Sequence, residues 1–275
     1  MQKAELETHR DLDIPGLLPR RVDVWLPEAY RENPGQRFPV LYLHDGQMVF
    51  TFARSKGGGW NIHQAISHLV DEGNICPVIV VAVPSTLNRL YEYLPSKVLD
   101  YPAGMETFQN ILRSEIGDSK RELSGKFIHW MADTVKPAID QRYRTLSEME
   151  HTAVMGSSMG AMVSLYMLCE FPEVFSKAAC LSTHWPILGD GMIAYLEENL
   201  PEQGRHKLYF DHGSEGLDSE YAPWQAKVDA LLREKGYREG KDFASWSFPG
   251  EAHTPRAWAG RVHIPLTFLF GTIDR

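Results

Sequence analysis

Residues 152–160 limit the folds open to this chain more than any other stretch. An apolar run leads into the pattern Gly-Ser-Ser-Met-Gly, and an apolar segment with helical spacing, 161–171, follows at once. This order predicts a strand, a sharp turn and a helix, with Ser158 at the turn. Glycines two residues before and two after the serine let the strand and the helix approach closely. In such an elbow the serine hydroxyl stands clear of the sheet edge, so Ser158 is the candidate nucleophile.

Strand-like and helix-like segments alternate along the rest of the chain. Apolar or alternating runs predict strands at 21–27, 39–46, 77–84, 152–156, 178–182, 207–211 and 243–248. Helical spacing predicts helices at 62–70, 127–143, 161–171, 192–200, 224–235 and 256–270. Pro137 and Pro265 are expected to kink or interrupt two of these helices. The alternation predicts an α/β protein, with a mostly parallel central sheet and helices on both faces.

The domain organisation follows from chain length and from the absence of a linker. No internal repeat or linker divides the 275 residues, so we expect a single domain spanning 1–275. The polar, poorly periodic stretch from about 96 to 124 interrupts the alternation. We expect this stretch to form a small cap insertion.

Charge and composition argue against several kinds of partner. The net charge is −8 and the basic residues are dispersed, so nucleic acid and anionic membrane are poor partners. The first residues lack an apolar signal region and no apolar run is long enough to cross a bilayer, which predicts a cytoplasmic protein. No His-Glu-x-x-His or paired-cysteine motif occurs, so we expect no metal and no cofactor. The oligomeric state stays open.

A serine hydroxyl is a poor nucleophile until a base takes its proton and a third group orients that base. After an elbow of this kind, the acid and then the histidine are expected further along the chain. His253 follows the last predicted strand and is the candidate base. The loop after the strand at 207–211 offers Glu215 and Asp218 as the acid. We favour Asp218, which stands just before the polar start of the next helix, and Glu215 stays open as the alternative.

Two backbone N–H groups are needed to stabilise the oxyanion of an acyl-transfer reaction. One is expected at Met159, the residue after the nucleophile. The other is expected at Gln47, in the turn that follows the strand at 39–46.

Several motifs together resemble the putative-esterase (esterase D-like) family of the α/β-hydrolase superfamily. That family includes feruloyl and acetyl-xylan esterases, enterobactin esterases, S-formylglutathione hydrolase and mycolyltransferases. The resemblance extends from about residue 21 to 269 and depends on the segments at 40–47, 89–95, 136–145, 156–160, 209–213 and 250–253. Two positions depart from the family pattern: Ala161 replaces a common glycine, and the acid loop is longer than Gly-x-x-Asp.

The resemblance implies an α/β-hydrolase fold and metal-free hydrolysis of a small or medium carboxylic ester. It implies Ser158 as nucleophile, His253 as base and Asp218 as acid, acting through an acyl-enzyme. An acyltransferase using the same three residues, or a non-catalytic binding protein on the same fold, are the rival interpretations. The acyl group and the leaving group are not specified by these motifs.

Five residues are candidates for substrate contact. Arg89 leaves the predicted strand at 77–84 near the site, where it would hold a carboxylate or phosphate, or else pair with Glu92. Trp60, Trp185 and Trp258 would wall an acyl or aryl pocket, or else pack in the core. His184 would line the same pocket.

Overall fold

An eight-stranded sheet runs through the middle of the molecule. The computed structural model describes residues 5–50, 59–103 and 123–272. The strands are β1 (Glu5–His9), β2 (Val22–Leu26), β3 (Val40–His44), β4 (Ile79–Val83), β5 (Thr152–Ser157), β6 (Lys177–Leu181), β7 (Lys207–His212) and β8 (Phe243–Ser247). They lie in the order β1-β2-β4-β3-β5-β6-β7-β8. Every predicted strand is present.

The sheet is mostly parallel, as predicted. The six strands from β4 to β8 in this order are parallel neighbours, whereas β1 pairs antiparallel with β2 and β2 pairs antiparallel with β4. From β3 the chain moves to β4 on one side, and later returns to place β5 on the other side. Such a reversal leaves a crevice at the carboxyl ends of the two central strands, where α/β proteins bind ligands. The carboxyl ends of β3 and β5 are therefore the expected position of a site.

Helices cover both faces of the sheet. They are α1 (Glu28–Glu32), α2 (Ile62–Asp71), α3 (Arg89–Tyr93), α4 (Leu123–Trp130), α5 (Lys136–Arg142), α6 (Met159–Glu170), α7 (Gly189–Asn199), α8 (Ala222–Glu234), α9 (Pro255–Arg261) and α10 (His263–Phe270). Alternate residues of β3 enter two separate cores. Val40 and Tyr42 pack with α4, α6 and α7, and Leu41 and Leu43 pack with α2 and α10. This is the predicted α/β architecture.

Helix breaks fall near the predicted prolines, although not always at them. A π-helical segment, Met131–Val135, joins α4 to α5, and Pro137 lies in the first turn of α5. The C-terminal helix divides at Val262 and not at Pro265, which lies in the first turn of α10. A proline in a first turn removes an N–H that has no intrahelical acceptor, so it fits a helix start.

The first strand was not predicted from the sequence. The side chains of β1 are largely exposed, and the strand pairs along its whole length with β2. It carries little apolar alternation, because neither of its faces is buried. The predicted cap insertion at 96–124 falls mainly on residues 104–122, which lie outside the described residues. No helix in the described part of the chain is long and apolar enough to cross a membrane.

Candidate active site

Ser158 lies at a tight turn between β5 and α6. Its backbone has φ 59° and ψ −122°, a conformation that side-chain-bearing residues rarely adopt. A Cβ placed on Gly156 would lie 2.4 Å from the carbonyl carbon of Gly160, so the strand and the helix approach too closely for any other residue there. The predicted elbow is present, with a partly exposed serine at its tip.

Two helix starts lie beside this serine. Met159 is the first residue of α6, where a backbone N–H has no acceptor within the helix. Gln47 lies in a single 3₁₀ turn, Gly46–Met48, directly after β3. Because β3 and β5 are neighbours in the sheet, this turn and the elbow lie at adjacent strand ends. That the Met159 and Gln47 N–H groups act together on one oxygen stays a prediction.

The Gln47 turn is fixed against the end of β4. The Gln47 side chain donates from Nε2 to Ser85 Oγ (2.8 Å) and accepts at Oε1 from the Ser85 N–H (3.0 Å). A Cβ on Gly46 would lie 2.6 Å from the Val83 nitrogen. The close approach of β4 therefore requires glycine at position 46.

His253 is paired with Asp218. His253 Nδ1 lies 2.5 Å from Asp218 Oδ1, and the histidine side chain is mostly buried. The alternative acid, Glu215, is exposed, and its backbone N–H donates to the carbonyl of Glu251 (3.0 Å). That backbone contact joins the acid loop to the histidine loop, so the two loops form one unit at the ends of β7 and β8.

The second carboxylate oxygen of Asp218 is also fully engaged. Oδ2 accepts from Ser182 Oγ (2.6 Å) and from the Gly213 N–H (2.7 Å). Burial alone would raise the pKa of Asp218, but the hydrogen bonds from His253, Ser182 and Gly213 hold that pKa below its ordinary value. Asp218 is therefore an anion, fixed in orientation, at neutral pH.

A buried polar network continues behind Asp218. Ser182 Oγ accepts from Trp258 Nε1 (2.9 Å) and from Arg261 Nη2 (3.0 Å). The same Arg261 nitrogen donates to Asp211 Oδ1 (2.9 Å), and both of these charged side chains are buried. Ser182 has a positive φ of 45°, so its backbone is strained where its hydroxyl meets these partners.

The sequence analysis missed this network. The only signal in the sequence is that Ser182 and Asp211 are polar residues at the carboxyl ends of two predicted strands, with Ser182 after β6 and Asp211 near the end of β7. Trp258 and Arg261 lie in α9, which follows the His253 loop. The network thus connects the acid, through Ser182, to the helix next to the histidine.

Two aromatic rings hold the imidazole of His253. The rings of Tyr221 and Trp258 meet it edge-on, with centroids 5.8 and 5.0 Å away. The Tyr221 hydroxyl also lies 2.6 Å from His184 Nδ1. Tyr221 therefore connects the candidate base to one of the predicted pocket residues.

His184 lies next to the elbow. Its backbone N–H lies 3.4 Å from the Ser158 carbonyl oxygen, and its side chain is partly buried. Burial is the main cause that lowers the pKa of His184 to about 4. His184 is therefore neutral at neutral pH, and its contact with substrate stays a prediction.

Arg89 also lies near the elbow, with a different partner from the one expected. It binds Asp45 through two hydrogen bonds of 2.7 Å and stacks over the Tyr93 ring. Pairing with Glu92 was wrong, because Glu92 is fully buried and binds Arg20 (2.6 Å). About one third of the Arg89 side chain is exposed (34%), so substrate contact by Arg89 stays a prediction.

The three tryptophans are packed in the cores. Trp185 is 1% exposed and donates from Nε1 to Gln225 Oε1 (3.1 Å). Trp60 is 3% exposed, and its ring lies 5.9 Å from that of Trp258. These positions favour the packing interpretation for all three, with Trp60 supporting the helix that follows His253. In the described part of the chain, no cluster of three or more His, Cys, Asp or Glu side chains is arranged to hold a metal ion.

Comparisons with known proteins agree with this architecture. The chain is 20% identical over 261 residues to the uncharacterized protein YbbA of Bacillus subtilis, covering 92% of this chain and 93% of that protein. It superposes on an IroE-like serine hydrolase from Shewanella oneidensis with a TM-score of 0.73 and 20% identity, covering 97% of this chain and 80% of that one. A ferulic acid esterase from Anaeromyces mucronatus superposes with a TM-score of 0.64 and 18% identity, covering 97% and 90%.

These likenesses establish an α/β-hydrolase type of fold. The family assignment comes from the sequence itself. The family model described as "Putative esterase" matches residues 18–251, which is most of the chain and includes the elbow at 156–160, the Asp218 loop and the Gln47 turn. The chain therefore belongs to the putative esterase family.

Proposed function

We propose that this protein is a serine carboxylesterase that acts on a small or medium ester through an acyl-enzyme on Ser158. Ester hydrolysis is the activity expected of its family. The observation that carries the serine mechanism is the hydrogen bond of 2.5 Å between His253 Nδ1 and Asp218 Oδ1, beside an elbow with a strained serine. A histidine held by a buried carboxylate is what a serine hydroxyl needs to become a nucleophile.

Acylation assigns one task to each group. His253 Nε2 takes the proton of Ser158 Oγ as Oγ bonds to the carbonyl carbon of the ester. The backbone N–H groups of Met159 and Gln47 donate to the oxygen that becomes negative. His253 then gives its proton to the leaving alcohol as the ester bond breaks. Asp218 stays ionised and stabilises the imidazolium, which its lowered pKa favours.

Deacylation repeats these steps with water in place of the serine. His253 takes a proton from the water, whose oxygen bonds to the acyl carbon. His253 then gives that proton to Ser158 Oγ as the acyl–serine bond breaks and the acid product leaves. The contacts of His253 suit it both to accept a proton and to donate one. Its Nδ1 side is occupied by Asp218, and the Tyr221 and Trp258 rings limit rotation of the imidazole.

The test compares two adjacent serines. Ser158→Ala should lower the hydrolysis of p-nitrophenyl acetate by roughly 10³-fold or more, because the remaining groups cannot form an acyl-enzyme. Ser157→Ala is the control, since Ser157 is a buried residue at the end of β5. Circular dichroism should show that both variants are folded. Retained turnover in folded Ser158→Ala would refute the proposal.

A further inference from the structure

A cavity opens beside the oxyanion turn, on the side away from the His253 loop. It has a volume of about 670 Å³ and is lined by Gln47 and by Ser85, the residue that fixes the Gln47 side chain. The other walls come from the segment before β2 and from the residues that follow β4. No proposed catalytic step so far uses this space.

The sheet order gives the distance of this cavity from the nucleophile. Ser158 follows β5, and β3, β4 and β2 lie successively further away, with β2 antiparallel. The start of β2 and the ends of β3, β4 and β5 therefore share one edge of the sheet. Neighbouring strands are about 4.8 Å apart, so the cavity at the ends of β4 and β2 lies roughly 10–14 Å from Ser158.

The cavity lining is positively charged, although the whole chain is negative. Arg10, Arg20 and Arg21 line it, with no Asp or Glu in the lining, while the chain carries a net charge of −8. Arg20 is neutralised by its buried pair with Glu92. Arg10 and the terminal Nη groups of Arg21, which binds Asp23 through Nε alone, remain available to an anion at the cavity wall.

These two arginines differ in how they are held. Arg10 is exposed and has no ion-pair partner in the part of the chain that the structure describes. Arg21 is bound through Nε to Asp23 Oδ2 (2.6 Å), and 44% of its side chain is exposed. Asp23 also accepts a hydrogen bond from Thr8 Oγ1 (2.7 Å). The Asp23 carboxylate does not line the cavity. An anion entering the cavity would meet guanidinium groups and no carboxylate.

Apolar side chains stand beside these cations. Leu87 is 97% exposed and Leu18 is 40% exposed, and both line the cavity. A leucine with almost its whole side chain in water gains no burial energy unless something covers it. The combination of leucines and arginines suits a molecule that is apolar along its length and negative at one end.

We propose that the ester substrate carries a carboxylate or phosphate, separated from the scissile carbonyl by an apolar segment spanning roughly 10–14 Å. The anion binds Arg10 and Arg21, and the apolar segment lies against Leu18 and Leu87. This inference rests on the proposed function, because it takes Ser158 as the position of the reacting carbonyl. Guanidinium groups bind both kinds of anion through paired hydrogen bonds.

The experiment compares matched esters with and without the negative charge. One pair is p-nitrophenyl hydrogen suberate against p-nitrophenyl methyl suberate, which places the charge on the acyl side. A second pair is the acetyl ester of 8-hydroxyoctanoic acid against that of its methyl ester, which places the charge on the alcohol side. A third pair replaces the carboxylate of the alcohol by a phosphate. We expect kcat/KM to be roughly tenfold higher for the charged member of at least one pair.

Variants of the two arginines test where the preference arises. Arg10→Gln combined with Arg21→Gln should lower the charged-to-neutral ratio of kcat/KM by roughly tenfold, and added NaCl should weaken the preference of the unaltered protein. Arg233→Gln is the matched control, since Arg233 is half-exposed and pairs with Glu239 (2.7 Å) away from this cavity. That control should leave the ratio unchanged.

Two results would overturn this inference. One is an equal kcat/KM for the charged and neutral members of all three pairs. The other is a charge preference that survives in the double variant. If turnover of the neutral esters depends on Ser158 and either result is found, this inference alone fails. If Ser158→Ala keeps full turnover of every ester, the proposed function itself fails.

Discussion

Ser182 offers a sharp prediction, because its buried side chain contacts Asp218, the proposed acid. Its buried hydroxyl donates to Asp218 Oδ2 (2.6 Å) and accepts from Trp258 and Arg261. Ser182→Ala removes a hydrogen bond to a charged group, which is worth about 1.5–3 kcal/mol. If that energy serves to hold Asp218 against His253, kcat should fall by roughly 10–100-fold. KM should change little, because the Ser182 side chain is fully buried.

Ser182→Ala should also destabilise the protein, so activity and stability must be separated. Ser182→Gly does this, because glycine adopts the positive φ of 45° without strain and also lacks the hydroxyl. We expect Ser182→Gly to lose as much kcat as Ser182→Ala, while losing less of the free energy of unfolding. Ser176→Ala is a matched control, since that fully buried hydroxyl donates to the Met149 carbonyl (2.7 Å) at the opposite end of the sheet.

The assay is steady-state hydrolysis of p-nitrophenyl acetate, with urea unfolding measured on the same preparations. The reasoning predicts a loss of kcat in both Ser182 variants and none in Ser176→Ala. A kcat that follows the free energy of unfolding across all three variants would show a merely structural role. An unchanged kcat in folded Ser182→Gly would refute the positioning role outright.

Two further predictions concern the acid and a buried histidine. Asp218→Asn should lower kcat/KM by roughly 10⁴-fold, since it removes the charge that orients and stabilises the His253 imidazolium. Glu215→Gln should change kcat/KM less than about twofold. A larger loss in Glu215→Gln than in Asp218→Asn would make Glu215 the acid. His44 is buried without a hydrogen-bond partner among the described residues, and burial lowers its pKa to about 4 from 6.5. Between pH 6.5 and 4, His44 is protonated in the unfolded chain and neutral in the folded protein. The free energy of unfolding should therefore fall by up to about 3 kcal/mol on acidification from pH 6.5 to 4. Urea unfolding should show a smaller fall in His44→Leu; an unchanged pH dependence would contradict this account.

The sheet and the elbow were predictable because their causes are local. β4 is an uninterrupted run of apolar residues, and such a run is typical of a strand buried on both faces. Glycine is needed at 156, where the strand and the helix nearly touch, so the sequence itself indicates this close contact. Chain order then indicated a histidine after β8 and an acid after β7, which the structure places 2.5 Å apart as His253 and Asp218.

The parts that escaped prediction depend on contacts between distant residues. Arg89 binds Asp45, which is 44 positions away in the chain and whose carboxylate comes within reach only because β3 and β4 are neighbours. The network of Ser182, Asp218 and Arg261 joins three separate segments of the chain, and no spacing in the sequence indicates it. Such polar partnerships are set by tertiary packing, which hydrophobic periodicity does not encode.

The most direct test of the serine mechanism is to identify the residue that a fluorophosphonate modifies. The protein is treated with a fluorophosphonate, digested, and the peptide containing Ser157 and Ser158 is sequenced by tandem mass spectrometry. The account predicts one adduct per chain, located on Ser158, retained in Ser157→Ala and lost in folded Ser158→Ala. An adduct that persists in Ser158→Ala, or an active protein that takes no label, would contradict the serine mechanism.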